Sequence, residues 1–327
     1  MLYSFTGGSD GDFPGWGGLV FDKTNNLYGA TVLGGKYGEG TIFDLRPNLD
    51  GIWTESVLHQ FTGKSDGGTP DTTPIFDAAG NLYATAVSGG AYACGTAFKM
   101  TPSSNNLWTF HVIHQFKGGP ACAPWVGFTP DAAGALYGTT RNAGKFCNPG
   151  SGDCGTVFQL TPTSGGGWTY KVIHLFSGGK GGVDPSVGGQ VFDGQGNLYG
   201  ATEDQGAHGF GLLFKLTPGA GDKWTYQVLH QFNGLQDGGN SIGRMIFDAP
   251  GNLYGPAYSG GAYGYGVVFK LTPNQNGTWT ENAIFSFSGS DGANPAAALI
   301  SDPAGNIYGI TNAGGAYDAG TVYEITP

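Results

Sequence analysis

The sequence predicts an all-β fold, a six-bladed β-propeller with four antiparallel strands in each blade. Composition points first to β structure. The 327 residues include 63 Gly and 18 Pro, and inside a helix these residues cost roughly 1 and 3 kcal/mol each. In addition, a segment of the type Asn-Leu-Tyr-Gly occurs six times at intervals of 54 to 62 residues. Repeats of this length, built from short strands and turns, are typical of propeller blades.

Composition also excludes other classes of protein. A hydrophobic content of 39% with 7 Trp, 16 Tyr and 21 Phe is enough to bury a core, which argues against disorder. The glycines have no three-residue period, so a collagen helix is excluded. A net charge of −10 with only 14 Lys and Arg argues against nucleic acid as a partner. No apolar run approaches the roughly 20 residues of a membrane-spanning helix, so no transmembrane segment is predicted.

The repeat divides the chain into six units within one domain. Their ranges are 6–61, 62–116, 117–176, 177–232, 233–287 and 288–327, the last completed by 1–5. In the fifth unit the strand-like segments are 244–247, 252–257, 266–271 and 279–287. The last unit lacks its fourth strand, and 2–5 resembles the end of that strand. We therefore expect the N-terminal strand to close the last blade, which would leave no open sheet edge. Met1 directly precedes this segment, and we interpret it as the start of a trimmed mature domain.

Residues that recur in most units are interpreted as structural. A tryptophan opens the fourth strand of five units, and four histidines share one position with Tyr3 and Phe285, which argues against a metal site in that column. In every unit an aspartate precedes a Gly-Asn or similar turn and is expected to cap it. Three Ser-Asp-Gly loops could offer oxygen ligands to calcium, but they lack the dense acidic spacing of a calcium loop. Neither a metal nor a cofactor is predicted. These columns contain Trp53, Trp108, Trp168, Trp224 and Trp279; His59, His114, His174 and His230; and Asp22, Asp77, Asp131, Asp193, Asp248 and Asp302.

The fifth unit carries the fullest form of the repeat. It contains Phe-Asp-x-x-Gly-Asn-Leu-Tyr-Gly, then Gly-Gly-Ala-Tyr-Gly-Tyr-Gly, then Val-Phe-Lys-Leu-Thr-Pro, between residues 247 and 273. This pattern resembles the GloVer tandem-repeat family of secreted, surface-anchored bacterial proteins, and the resemblance covers the whole chain. It implies an exported propeller and brings no agreed activity or catalytic residues.

Four cysteines allow three disulfide pairings. Cys147 and Cys154 flank an insertion found only in the third unit, so we expect them to pair with each other. Cys94 and Cys122 lie in loops that should meet on one face of neighbouring blades, so we expect a second disulfide there. Two disulfides would indicate a secreted or cell-surface protein. No Cys-x-x-Cys or His-x-x-x-His spacing supports a zinc site.

The candidate site consists of residues that differ between otherwise regular units. After the second strand of each unit the residues are Val32, Val87, Arg141, Glu203, Tyr258 and Asn312. Loops at this end of each blade form one face of a propeller, where ligands usually bind. Catalytic candidates are Tyr258, Glu203, Arg141 and His208, and candidate ligand-binding residues are Trp16, Asp71, Trp125, Asn142, Asp204, Arg244 and Asn312. Exposed tryptophans beside polar groups suit a sugar, whose apolar face stacks on indole.

Three function classes follow from this set. The first is binding, with or without processing, of a carbohydrate or another small polar or aromatic ligand by a monomeric propeller. Within it, Tyr258 or His208 would be the base of a lyase, whereas Glu203 and Asp204 are neighbours on a strand and point to opposite faces, which disfavours a glycosidase pair. The second is a lyase, cyclase or cycloaddition enzyme that orients a small molecule in the central pocket. The third is a non-catalytic surface scaffold or adhesion module.

Overall fold

The computed structural model describes residues 1–15, 17–103, 107–118, 121–125, 127–141, 154–186 and 188–326. Within these residues the chain forms six antiparallel sheets, each built from consecutive strands. Each sheet is a propeller blade, so the predicted fold class is confirmed. Two short 3₁₀ turns, Gly179–Gly181 and Ala220–Asp222, are the helical elements of the described chain. No helix in these ranges is long and apolar enough to cross a bilayer.

The strands follow the chain sheet by sheet. The first sheet contains β1 (Val20–Phe21), β2 (Leu27–Thr31), β3 (Thr41–Pro47) and β4 (Trp53–Gln60), and the second contains β5 (Ile75–Phe76), β6 (Leu82–Ala86), β7 (Thr96–Pro102) and β8 (Trp108–Gln115). The third contains β9 (Thr129–Pro130), β10 (Leu136–Thr140), β11 (Thr156–Pro162) and β12 (Trp168–Leu175). The fourth contains β13 (Val183–Pro185), β14 (Val191–Phe192), β15 (Leu198–Asp204), β16 (Leu212–Pro218) and β17 (Trp224–Gln231). The fifth contains β18 (Ile246–Phe247), β19 (Leu253–Ala257), β20 (Val267–Pro273) and β21 (Trp279–Ser286), and the sixth β22 (Ala293–Pro295), β23 (Ile300–Ser301), β24 (Ile307–Ala313) and β25 (Val322–Ile325).

The described residues form two compact units. The first contains the first two sheets and most of the third, and the second contains the last three sheets together with residues 154–157 and 173–175. In the first unit, Tyr28 and Phe61 pack against Phe98 of the next sheet in one apolar cluster. In the second unit, Phe232 packs in the same way with Phe269. Neighbouring sheets within each unit are therefore joined by a buried aromatic residue that follows the fourth strand.

The aspartate column forms the turn before each second strand, as the sequence predicts. In the fifth sheet Asp248 Oδ1 accepts the backbone N–H of Asn252, while its Oδ2 accepts the Asn252 side-chain amide and the Tyr254 hydroxyl. The hydroxyl of the equivalent tyrosine donates to the aspartate in each of the other five sheets. The motif Asp-x-x-Gly-Asn-Leu-Tyr thus encodes a turn and its own hydrogen-bond donors.

The first strands are shorter than predicted. The sequence predicts a strand at 244–247, but β18 begins at Ile246. The carbonyl oxygen of Arg244 instead accepts the backbone N–H of Leu299, 3.1 Å away in the following repeat. A bond to a neighbouring repeat therefore replaces the first ladder bond within the sheet.

Closure of the last blade by the N-terminal strand stays a prediction. Residues 2–5 form no described strand. Their side chains occupy the first sheet in the way that His59 and Phe61 occupy the second, since Tyr3 and Phe5 pack beside Phe43 and the Phe5 and Phe43 ring centroids are 5.0 Å apart. In the sixth sheet β24 pairs with β22 and β23 and also with β25.

Candidate functional site

The divergent column lies at the ends of the second strands and has a fixed backbone. The N–H of Arg141 donates to the carbonyl of Ala123 at 3.0 Å, and the N–H of Tyr258 donates to that of Asn240 at 3.2 Å. Ala123 and Asn240 both have positive φ, 56° and 53°, a conformation uncommon for residues other than glycine. The backbone therefore holds each of these side chains at the start of a loop.

In the first unit the structure brings two predicted site residues together. The guanidinium of Arg141 lies over the Trp125 ring, 4.6 Å from its centroid, which is cation–π geometry. Asp71 is half-buried, and its Oδ1 would lie 2.5 Å from a Cβ built on Gly15, so the Gly15 backbone packs directly on this carboxylate. Trp16 and Asn142 lie outside the described residues.

In the second unit a network fixes the predicted acidic pair. The Asn240 side-chain amide donates to the Glu203 carbonyl at 2.9 Å and to Asp204 Oδ1 at 3.1 Å. Asn240 Oδ1 in turn accepts the Ser259 hydroxyl at 2.6 Å. Glu203 is half-buried and Asp204 is exposed, which fits the expectation that the two carboxylates point to opposite faces of the strand.

Tyr258 joins this network through the bond from its N–H to the Asn240 carbonyl. The carbonyl of Tyr258 accepts the side-chain amide of Asn294 at 3.0 Å, and Asn312 is exposed on β24. Arg244 is exposed to solvent, yet desolvation by the surrounding protein lowers the pKa of its guanidinium. His208 lies exposed in the bend 206–209 after β15, a position that suits ligand contact better than proton abstraction in a closed pocket.

Each unit carries exposed tyrosines that were not among the predicted site residues. The loops between second and third strands include residues 34–38, 89–93, 260–264 and 314–318, called here the Gly-Gly loops, and residues 205–209 of the fourth sheet, where Gln205 replaces the first glycine. At their tips Tyr37, Tyr92, Tyr263 and Tyr317 are 52 to 93% exposed, and His208 takes the equivalent place in the fourth sheet. The repeated Gly-Gly-x-Tyr pattern was visible in the sequence. These tyrosines were not selected because residues that recur in most units were interpreted as structural.

Backbone hydrogen bonds hold these loops rigidly. Gly315 donates its N–H to the carbonyl of Gly289 at 2.8 Å, and Gly320 donates to Gly314 at 3.0 Å. The Gly35 N–H makes the same kind of bond to Gly8. Gly35 has φ +72°, and a Cβ there would lie 2.9 Å from the Thr41 side chain, so glycine is required. Each Gly-Gly loop is thus tied to the loop that enters its sheet, and both loops lie at one end of the sheet, called here the loop end.

The histidine column packs between neighbouring fourth strands. His59 stacks on Phe110 at 3.8 Å between ring centroids, His114 on Tyr170 at 4.1 Å, and His174 on Tyr226 at 3.9 Å. Burial lowers the pKa of His114 and of His174 to about 4. These residues are packing groups, as predicted.

His230 differs because Glu281 occupies the place of the aromatic partner. Ligand atoms of His230, Asp237 and Glu281 all lie within 4.8 Å of one another. His230 Nε2 is 3.0 Å from Asp237 Oδ2, and Glu281 Oε1 is buried with no hydrogen-bond partner. Burial, and then the charge of Asp237, raises the pKa of Glu281 to about 8.

A cleft of about 320 Å³ lies at the other end of the first two sheets. Its walls include Asp22, Tyr28, Asp77 and Trp108. Asp22 and Asp77 already accept the hydrogen bonds of their own turns. This cleft is therefore made by the structural part of the repeat, and we do not assign the site to it.

One of the two predicted disulfides is present. For the other, one of the two predicted cysteines lies among the described residues. Cys94 is bonded to Cys122, with 4.6 Å between their Cα atoms. Cys154 is also disulfide-bonded, while its predicted partner Cys147 lies outside the described residues. The Cys94–Cys122 bond links the loop after β6 to the segment that enters the third sheet.

The fold and its repeated loops define a six-bladed β-propeller built from tandem repeats. The chain belongs to the Gloeobacter/Verrucomicrobia repeat family, whose sequence profile matches residues 1–150 and 131–327. The resemblance found in the sequence is thus confirmed. No curated protein sequence matches the chain.

Solved structures share the fold at low sequence identity. A luciferin-regenerating enzyme has a TM-score of 0.54 at 13% identity, covering 97% of this chain and 92% of its own. A putative oxidoreductase (glucose dehydrogenase) from Thermus thermophilus has a TM-score of 0.50 at 15% identity, covering 92% and 91%. An ancestral GH74 enzyme has a TM-score of 0.60 at 11% identity, covering 94% of this chain and 41% of its own. At these identities the likeness shows the fold alone.

Proposed function

We propose that this chain is an exported carbohydrate-binding propeller, which holds a neutral polysaccharide against the loop end of its sheets. The observation that carries the proposal is the set of exposed tyrosines on the rigid Gly-Gly loops. A tyrosine ring offers an apolar face to the pyranose ring and a hydroxyl to its oxygens. Because the loops are held by backbone hydrogen bonds, little entropy is lost when a ligand stacks on them.

Each unit of the chain supplies its own tyrosines. The first unit has Tyr37 and Tyr92, and Lys36 and Lys117 lie over these rings at 5.3 and 5.6 Å from the centroids. The second unit has Tyr263 and Tyr317 with His208. Several weak stacking contacts along one polymer act together, since each bound segment raises the local concentration of the next. We therefore expect long polysaccharides to bind better than oligosaccharides.

The net charge supports a neutral ligand, and the disulfide supports export. A net charge of −10 repels acidic polymers, which favours a neutral polysaccharide. The Cys94–Cys122 bond fits an oxidising compartment outside the cytosol. The Arg141–Trp125 pair adds a polar and aromatic contact at the same end of its sheet. These contacts require no chemical step, and the proposal is for binding.

The test is a binding panel of insoluble and soluble polysaccharides with matched variants. The variants are Y37A/Y92A in the first unit and Y263A/Y317A in the second, with L49A as control, because Leu49 is fully exposed in a turn at the opposite end. A stacking contact contributes about 0.5–1.5 kcal/mol, so each double variant should lose about 10-fold in affinity for the polymer. L49A should bind like the unchanged chain. An alginate, as an acidic polymer, should bind least.

Two results would overturn this proposal. One is that no polysaccharide in the panel binds. The other is that both tyrosine double variants bind as tightly as L49A. Circular dichroism and thermal unfolding of each variant separate a lost contact from a lost fold.

A further inference from the structure

We propose that His230, Asp237 and Glu281 form a divalent transition-metal site of the zinc type between the outer strands of the fourth and fifth sheets. His230 comes from β17, Asp237 from the following loop and Glu281 from β21. One imidazole and two carboxylates are ligand types that zinc takes, and three protein ligands leave a fourth position for water. The imidazole favours such an ion over calcium or magnesium, which prefer oxygen ligands alone.

The geometry needs only a small adjustment to hold the ion. Two ligand atoms at 2.0–2.2 Å from a tetrahedral zinc ion are about 3.4 Å apart. His230 Nε2 and Asp237 Oδ2 are 3.0 Å apart, and all three ligand groups lie within 4.8 Å of one another. An ion placed between them would spread the first pair slightly and draw Glu281 in.

Glu281 is the residue that the packing of this gap does not explain. Its Oε1 is buried and makes no hydrogen bond in the described structure, and burying an unpaired carboxylate oxygen costs free energy. In the gaps that hold His59, His114 and His174 the equivalent residue is Phe110, Tyr170 or Tyr226, each stacked on its histidine. In the first sheet it is Glu55, whose Oε1 is also buried without a hydrogen bond but which lies near Tyr3 instead of a histidine. At Glu281, where an imidazole and a second carboxylate are also in reach, a metal ion would give the orphaned oxygen a partner.

The other two ligands are already positioned for this role. Asp237 is buried, and it accepts the backbone N–H of Asn233 at 3.3 and 3.1 Å through its two oxygens. A hydrogen bond of this kind orients a ligating carboxylate. His230 lies edge-on to Phe232 with 5.0 Å between the ring centroids, which fixes the plane of its imidazole. Both groups remain partly accessible, at 21% and 10% of their side chains, so an ion can enter from solvent.

A second histidine–aspartate pair in the chain serves as a control for the third ligand, Glu281. His59 and Asp66 make the same pair, 3.2 Å apart, but face Phe110 instead of an acid. If an imidazole and one carboxylate were enough, both gaps would bind the ion. We expect binding only where Glu281 is present, and hence one ion per chain.

The experiment measures binding of Zn²⁺ by calorimetry and of Co²⁺ by its visible absorption, after treatment of the purified chain with a chelator. The variants are E281F, which copies Phe110, and H230F, which copies Phe285. H59F is the control in the other gap. The unchanged chain and H59F should bind one ion with a tetrahedral Co²⁺ spectrum and should unfold at a higher temperature with Zn²⁺.

E281F and H230F should bind at least about 100-fold more weakly, because losing only an outer hydrogen-bond partner of a ligand already costs 10–100-fold. Their folding is expected to survive, because phenylalanine already occupies both positions elsewhere in the repeat. The proposal is contradicted if the unchanged chain binds no Zn²⁺, or if folded E281F binds it as tightly. This outcome is independent of polysaccharide binding.

Discussion

A single aspartate illustrates how much of this fold is specified at the level of residues. Asp193 Oδ1 accepts the backbone N–H groups of Gln195 and Asn197, and Oδ2 accepts the Asn197 amide and the Tyr199 hydroxyl. Burial opposes ionisation, but these four donors outweigh it and lower the pKa of Asp193. The carboxylate is needed as an acceptor at both oxygens.

Replacing Asp193 by asparagine should therefore destabilise the chain. In D193N an amide group replaces one oxygen and faces donors instead of accepting from them. Leaving such buried donors unsatisfied costs about 1–3 kcal/mol. The free energy of unfolding by urea measures this loss. D131N is the matched control, because Ala135 stands where Asn197 does and offers no side-chain amide, so its loss should be smaller. Equal losses in the two variants would contradict this explanation of the turn.

At this scale the sequence predicts structural residues better than functional ones. Asp193 and its equivalents could be assigned because their partners recur at fixed spacing. Tyr263 could not be separated from the buried Tyr254 by recurrence, since both positions repeat. What separates them is the turn that places Tyr263 at a loop tip and the strand that buries Tyr254. The position of Arg141 could be predicted, but the Trp125 ring beneath it could not.

The histidines packed between fourth strands make the stability of the folded chain depend on pH. His114 and His174 are stacked on Tyr170 and Tyr226, and burial lowers the pKa of each histidine from its usual 6.5 to about 4. Between these two pH values the unfolded chain binds more protons than the folded one. The stability that these histidines give is present above pH 6.5 and is lost as the pH falls toward 4.

The double variant H114F/H174F should therefore be less sensitive to acid than the unchanged chain. Each buried histidine contributes a slope of up to about 1.4 kcal/mol per pH unit in this window. Urea unfolding at steps between about pH 8 and pH 4 measures the difference between the two proteins. At the alkaline end they should be similar in stability, because Phe285 shows that the column accepts phenylalanine. Parallel pH profiles would show that burial of the imidazoles is not the cause.

The bounds of a strand were predicted well where the repeated segment also has the residue pattern of a strand. The predicted segment 279–287 is β21, Trp279–Ser286. The predicted 244–247 is only half strand, because Arg244 bonds to Leu299, a contact between repeats that is not visible within one repeat. The replacement of an aromatic residue by Glu281 was visible in the sequence. Its contact with His230 could not be predicted, because that contact depends on how neighbouring sheets pack.

At the scale of the whole molecule, an acidic, glycine-rich sequence forms a propeller whose exposed loops carry the tyrosines proposed here to bind a polysaccharide. The repeat predicts the six sheets, and the family profile spans all of them. Glycine supplies the backbone conformations that the Gly-Gly loops require, and those loops present the tyrosines. Which polymer binds depends on the spacing and depth of exposed side chains, and neither is encoded by recurrence alone.

The central claim, that a polysaccharide binds through the loop-end tyrosines, is tested most directly by hydroxyl-radical footprinting of the unchanged chain with and without a bound polymer. Mass spectrometry reads the oxidation of each exposed side chain. We predict that Tyr37, Tyr92, Tyr263 and Tyr317 become protected, while Leu49 and Ile52, exposed at the opposite end, are oxidised as before. Protection of Leu49 and Ile52 with the four tyrosines unchanged would contradict the claim.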